Sequence, residues 1–116
     1  MKLAQLILFV HDLPRMQAFY EQLGLRVVDA VDGFVRLADT AGGAVLALHA
    51  TTAIGPGGPP REDTAAKWCF HVDDVDAERT RLVELGATVR ETRRFGAISF
   101  CDAVDPEGNI FQLTTR

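Results

Sequence analysis

Residues Val72–Val89 read VDDVDAERTRLVELGATV, and residues Val10–Val27 read VHDLPRMQAFYEQLGLRV. An offset of 62 aligns Asp12 with Asp74, Leu13 with Val75, Leu23 with Leu85 and Gly24 with Gly86. Further along, GNIFQL at Gly108–Leu113 answers GAVLAL at Gly43–Leu48, now at an offset of 65. The chain is written twice, with a small difference in loop length between the copies.

Each copy has the same local grammar. Residues 3–10 and 67–73 are short runs of β-forming side chains, so each copy opens on a strand. Asp12 and Asp74 follow as helix N-caps, where a carboxylate accepts from free backbone N–H groups. Pro14 falls in the first turn, where its missing N–H does no harm. Leu13, Met16, Phe19, Tyr20 and Leu23 make one apolar stripe, and Val75, Leu82 and Leu85 make the other. Gly24 and Gly86 end the helices in the left-handed region. Three strands follow each helix, at about 25–31, 33–38 and 43–50, then at about 87–92, 97–104 and 109–115. The expected fold is α+β: tandem βαβββ modules, each a curved four-stranded mixed sheet backed by a helix. The modules span about 1–50 and 66–116 of a single domain covering 1–116. Residues 51–65, TTAIGPGGPPREDTA, join them as a Gly/Pro-rich linker or flap.

The stretch DPEGNIFQL, Asp105–Leu113, is a turn running into a strand. Pro106 sets one backbone angle, Gly108 permits a positive one, and Asp105 and Asn109 can bond the local backbone. Period two then puts Ile110, Gln112 and Thr114 on one face, and Phe111 and Leu113 on the other, toward the core. Trp68 and Phe70 alternate toward the helix in the same way.

Composition narrows the function. The chain has 116 residues, 47% apolar and 24% charged, enough for a core burying roughly two-thirds of the unfolded surface. A net charge of −4 argues against nucleic acid as partner. No apolar run exceeds five residues, far short of the ~20 a membrane span needs. Gln5 breaks the run after Lys2, so no signal peptide is expected. Cys69 and Cys101 lack framework or C-x-x-C spacing and are read as reduced thiols of a cytoplasmic protein. Phosphate-binding glycine motifs and a G-x-S-x-G elbow are absent.

The repeated βαβββ grammar, DPEGNIFQL, VHDLPRMQAFYEQLGL and FHVDDVDAERTRLVELGA together resemble the vicinal oxygen chelate superfamily. This is the glyoxalase, bleomycin-resistance and extradiol dioxygenase group, and the resemblance covers nearly the whole chain. It implies a concave working face and, in the enzymes, one divalent metal held by His, Glu or Gln from the first and last strands of each half. The matching positions here are Gln5 and Ala47, then Lys67 and Gln112. Gln5 and Gln112 each offer an amide oxygen, Ala47 offers no donor, and Lys67 is a cation that repels a metal unless deprotonated. A displaced set of His49, Cys69 and His71 is the alternative for a softer metal. Against it, these are strand-end histidines and a small apolar cysteine. Lys67 is either a solvated lysine at a strand start or an ammonium fixing an anionic or carbonyl ligand. The run RETRRF, Arg90–Phe95, is either a solvated hairpin or an anion clamp.

The expectation is therefore a small-molecule-binding homodimer without a metal cofactor. Its ligand would be an organic molecule on Gln5, Ile7, Phe9, Lys67, Cys69, His71, Ile110, Gln112 and Thr114. The alternative is a metal-dependent glyoxalase-like lyase or isomerase, or a dioxygenase, carrying one Zn, Ni, Mn or Fe. No catalytic residue is assigned.

Overall fold

A computed structural model describes residues 1, 3–53 and 66–116. Lys2 and residues 54–65, which include most of the joining segment, lie outside the described residues. The chain divides into two compact units, Met1–Gly57 and Gly58–Arg116.

In the first unit the elements run β1 (Gln5–Val10), α1 (Leu13–Gln22), β2 (Arg26–Val31), β3 (Phe34–Ala38) and β4 (Val45–Ala50). The sheet order is β1-β4-β3-β2, with β1 parallel to β4 and the other pairs antiparallel. Asp12 caps α1, accepting from the Arg15 amide at 3.1 Å, and Gly24 ends it at φ +104°. Met16 and Tyr20 on the α1 stripe are fully buried, as are Leu37, Ala47 and Leu48 of the sheet. The sheet margins differ. β2 is exposed along its whole length, and the other edge, β1, leaves Ile7 and Phe9 exposed by 42% and 50%.

The second unit repeats this plan with β5 (Cys69–His71), α2 (Val75–Glu84), β6 (Thr88–Val89), β7 (Arg93–Phe95), β8 (Ile98–Val104) and β9 (Ile110–Thr114). Its order is β5-β9-β8-β6, and β7 also pairs with β8. Asp74 caps α2 through the Ala77 amide at 3.0 Å. Val75 and Leu82 of α2 and Phe111, Leu113, Cys101 and Ala103 of the sheet form the core. Phe70 meets Phe111 edge-on at 5.6 Å between centroids.

Three local expectations need correcting. The strand expected over 87–92 is split: the Arg90 amide still donates to Asp102 at 2.8 Å, the chain then leaves the ladder, and it re-pairs at Arg93–Phe95. The strand expected over 67–73 is ladder-paired only at Cys69–His71, so Lys67 precedes it. Leu85 falls outside the buried stripe and is 50% exposed, because α2 ends at Glu84 and Leu85 is its C-cap.

Strand alternation sorts the arginines of β7. Arg94 reaches α2 and pairs with Asp76 at 2.6 Å. The Thr92 hydroxyl and the Arg94 guanidinium hold the Asp76 carboxyl below the usual carboxylate range. A carboxylate with a lowered folded pKa contributes stability above its unfolded value, and that contribution is lost as pH falls through the folded value. Asp76→Asn is therefore expected to be less stable than the parent at pH 7. The gap should close as pH falls below roughly 4, the ordinary Asp value. Urea midpoints across that range check it, and a gap independent of pH would refute the assignment. Among the described residues no helix is long and apolar enough to cross a membrane.

Candidate ligand-binding site

The five-residue turn Asp105–Asn109 sets the geometry of the second unit. Asp105 is 4% exposed, and its Oδ1 accepts from the Glu107 and Asn109 amides, each at 2.9 Å. Gly108 takes φ +82°. This closure pairs Val104 with Ile110, and so Asp102 with Gln112 and Phe100 with Thr114. On its other side β9 runs parallel to β5, which sets Cys69 beside Gln112 and His71 beside Thr114. Gln112 is thus flanked by a carboxylate on one strand and a thiol on the other.

The side chains form a directed chain. Lys67 Nζ donates to both oxygens of Asp102 at 3.0 Å. Gln112 Nε2 donates to Asp102 Oδ1 at 3.1 Å. The Cys69 thiol then donates to Gln112 Oε1 at 3.8 Å. Asp102 is the member that sequence reasoning missed. The signal was present, because a five-residue turn between two antiparallel strands fixes which residue faces Gln112. Lys67 and Asp102 have side chains 36% and 21% exposed, so the pair is partly desolvated.

Beside this chain opens a hollow of about 410 Å³ lined by Cys69, Phe95, Ile98, Phe100, Gln112, Thr114 and Arg116. Three of the expected ligand-binding residues of this unit, Cys69, Gln112 and Thr114, line it. Ile110 is 4% exposed and does not. Phe95, Ile98, Phe100 and Arg116 were not anticipated; they follow from the β7–β8 hairpin and from the pairing of Phe100 with Thr114. His71 sits at the margin, with Nδ1 3.3 Å from the Arg116 carbonyl and Nε2 3.5 Å from Asp73.

In the first unit, Gln5 Oε1 accepts from Arg36 Nε at 3.2 Å, and Arg36 stands 3.9 Å from Asp29. Arg36 faces Ala47 across the ladder, and Ala47 is fully buried. His49 stands between two aromatic rings, Phe9 and Phe34, each with its centroid 5.4 Å away. His49 belongs to this unit, whereas Cys69 and His71 belong to the other. Among the described residues no group of three His, Cys, Asp or Glu side chains is arranged to hold a metal ion. Both cysteines are free; burial pushes the Cys101 thiol up, and Cys69 is the exposed one.

The profile of the Glyoxalase/Bleomycin resistance protein/Dioxygenase superfamily matches residues 2–113. No curated protein matches. Among solved structures, a lactoylglutathione lyase from Agrobacterium tumefaciens is similar at 26% identity and a TM-score of 0.72, over 97% of this chain and 92% of that one. A bleomycin resistance determinant encoded on the transposon Tn5 shares the fold at 21% identity and a TM-score of 0.75, over 100% and 98% of the two chains. An antibiotic binding protein from a Streptomyces species does so at 23% identity and a TM-score of 0.78, over 97% and 93%.

Proposed function

Because this chain belongs to the glyoxalase/bleomycin resistance protein/dioxygenase superfamily, we propose that it is a small-molecule-binding member that holds an organic ligand without a divalent metal. One observation carries the reading: of the four matched positions only Gln5 and Gln112 offer a donor oxygen, and protein cations hold Gln5 Oε1 and the carboxylate beside Gln112. Arg36 occupies Gln5 Oε1. Lys67 occupies both oxygens of Asp102, the carboxylate beside Gln112. Of the other two matched positions, Ala47 has no donor atom, and Gln112 Oε1 already accepts from the Cys69 thiol. A divalent ion needs several oxygen, nitrogen or sulfur donors and net negative charge, and this set supplies neither. The residues do not fit the family metal.

What they fit is an organic guest. The hollow joins an apolar wall of Phe95, Ile98 and Phe100 to a few oriented polar groups, the usual make-up of small-molecule sites. The proposal places Cys69, Gln112 and Thr114, with His71 beside them, at the ligand surface of the second unit, Lys67 and Ile110 acting through the side chains they support, and it keeps Gln5, Ile7 and Phe9 as ligand-facing residues of the first unit taken by itself. It includes a homodimer, supported by the exposed apolar edge of β1, and a cytoplasmic location, supported by the two free thiols.

The 26% identity to a lactoylglutathione lyase favours a second reading, a metal-dependent lyase or isomerase. Elemental analysis separates the two. Protein purified without chelator is expected to carry well under one Zn, Ni, Mn or Fe per chain, and added metal is expected to leave the melting temperature unchanged. A stoichiometric ion, or a metal-dependent rise in melting temperature, would overturn the metal-free reading and favour the second, or a metal-dependent dioxygenase.

A further inference from the structure

We infer that the hollow of the second unit selects a flat aromatic ligand bearing an anionic group, with its ring against Phe95 and Phe100 and its charge toward Arg116 and Arg93. This rests on the metal-free reading above and names the class of ligand. Three observations converge on it.

The first is the wall. Phe95 is 79% exposed, although a phenyl ring gains most by burial. It faces Ile98 across the β7–β8 hairpin, and with Phe100 both residues line the hollow. An aromatic guest would cover this ring, and offset or edge-on ring pairs add to the area term.

The second is the sign of the charge. The carboxylate that faces Gln112, Asp102, is neutralised by Lys67 at 3.0 Å and engaged by Gln112. It therefore offers little attraction to a cationic guest. Arg116 lines the hollow, and register sets Arg93 across from Phe100. Neither guanidinium has an ion-pair partner among the described residues, whereas their neighbour Arg94 is paired with Asp76. Two guanidinium groups thus stand at the margin of the hollow in a chain whose formal charge is −4.

The third is the geometry of the polar groups. Gln112 Nε2 is committed to Asp102 and its Oε1 to the Cys69 thiol, so the amide serves as a fixed floor. The second N–H of Gln112 and the Thr114 hydroxyl can add single neutral hydrogen bonds, whereas the arginines are the charged groups that can meet a carboxylate, and they do so in a bidentate fashion.

The test uses three probes of one shape: 2-naphthoate, 2-naphthalenemethanol and 2-naphthylmethylammonium. Each is titrated calorimetrically into the full chain in the presence of a chelator. Naphthoate is expected to bind about tenfold more tightly than the alcohol, the scale of one charge-assisted hydrogen bond, and the ammonium more weakly still. Raising the salt is expected to weaken naphthoate selectively. Arg116→Gln is expected to remove most of the preference for naphthoate, and Arg93→Gln part of it. Phe95→Ala is expected to weaken all three probes; at a position this exposed it leaves the fold intact. Equal binding of the three probes, binding of none, or full selectivity in Arg116→Gln would overturn the inference while leaving the metal-free reading in place. Naphthoate binding seen only when the chelator is replaced by added metal would overturn both.

Discussion

Asp105→Ala is expected to lower the stability of the protein by about 3 kcal/mol, read from the midpoint of urea denaturation. The carboxylate is 4% exposed and has no solvent to fall back on. Its Oδ1 accepts from the amides of Glu107 and Asn109 and from Asn109 Nδ2 at 3.1 Å, and its Oδ2 accepts from the same Nδ2 at 2.9 Å. Alanine strands these donors inside the turn. A buried donor left without a partner loses roughly 1–3 kcal/mol, and two backbone amides are affected. Asp105→Asn keeps one oxygen as acceptor and is expected to lose about half as much. The damage should reach the site, because this turn sets the facing of Asp102 and Gln112. Exchange of the β8 and β9 amides with solvent should therefore accelerate in the alanine variant before that of α2. A change under 1 kcal/mol would mean that Pro106 and Gly108 hold the turn without the carboxylate.

That turn is also where the sequence was most readable. Asp-Pro-Glu-Gly-Asn has one low-energy use, and the closure seen between Asp105 and Asn109 is that use. The helices were readable for a similar reason: a cap carboxylate, an apolar stripe and a terminal glycine each act within a turn or two of chain. What depends on partners distant in sequence was harder to read. Asp102 is 35 residues from Lys67, and nothing local to either residue announces the pair. Ile110 and Thr114 share a face with Gln112 by period, yet both are buried while Gln112 is not fully so. β9 lies between β5 and β8, and a strand inside a sheet can be covered on both faces, which erases the contrast that alternation relies on. The split of β6 from β7 was hidden for a further reason. Arg90–Phe95 reads as one polar run, and only the ladder to β8 shows where pairing stops and resumes.

The consequence with the largest expected effect on chemistry concerns Lys67. On the metal-free reading, the Lys67 ammonium keeps cations away from Asp102, and Lys67→His should then turn the protein into a metal binder. The substitution removes a permanent positive charge from a carboxylate that it contacts at 3.0 Å through both oxygens. It adds an imidazole nitrogen and leaves Asp102, the Gln112 amide and the exposed Cys69 thiol within one sheet. Nitrogen, oxygen and sulfur donors in that number are within the repertoire of Zn²⁺. Zinc at 100 times its dissociation constant should then stabilise the variant by about 2.7 kcal/mol, against no response in the parent. Lys67→Met separates charge from ligand. It should show no zinc response, and it should lose about 1 kcal/mol, because Asp102 keeps Gln112 but loses its counter-ion in a partly solvated setting. Asp102→Asn added to Lys67→His should abolish the zinc response, since the amide brings no charge to balance the ion. If Lys67→His remains indifferent to zinc while Lys67→Met is as stable as the parent, Lys67 is a solvated side chain and the exclusion of metal must lie elsewhere. A zinc response in Lys67→His that is absent from both Lys67→Met and the Asp102→Asn double variant would assign the exclusion of the ion to one lysine on one carboxylate.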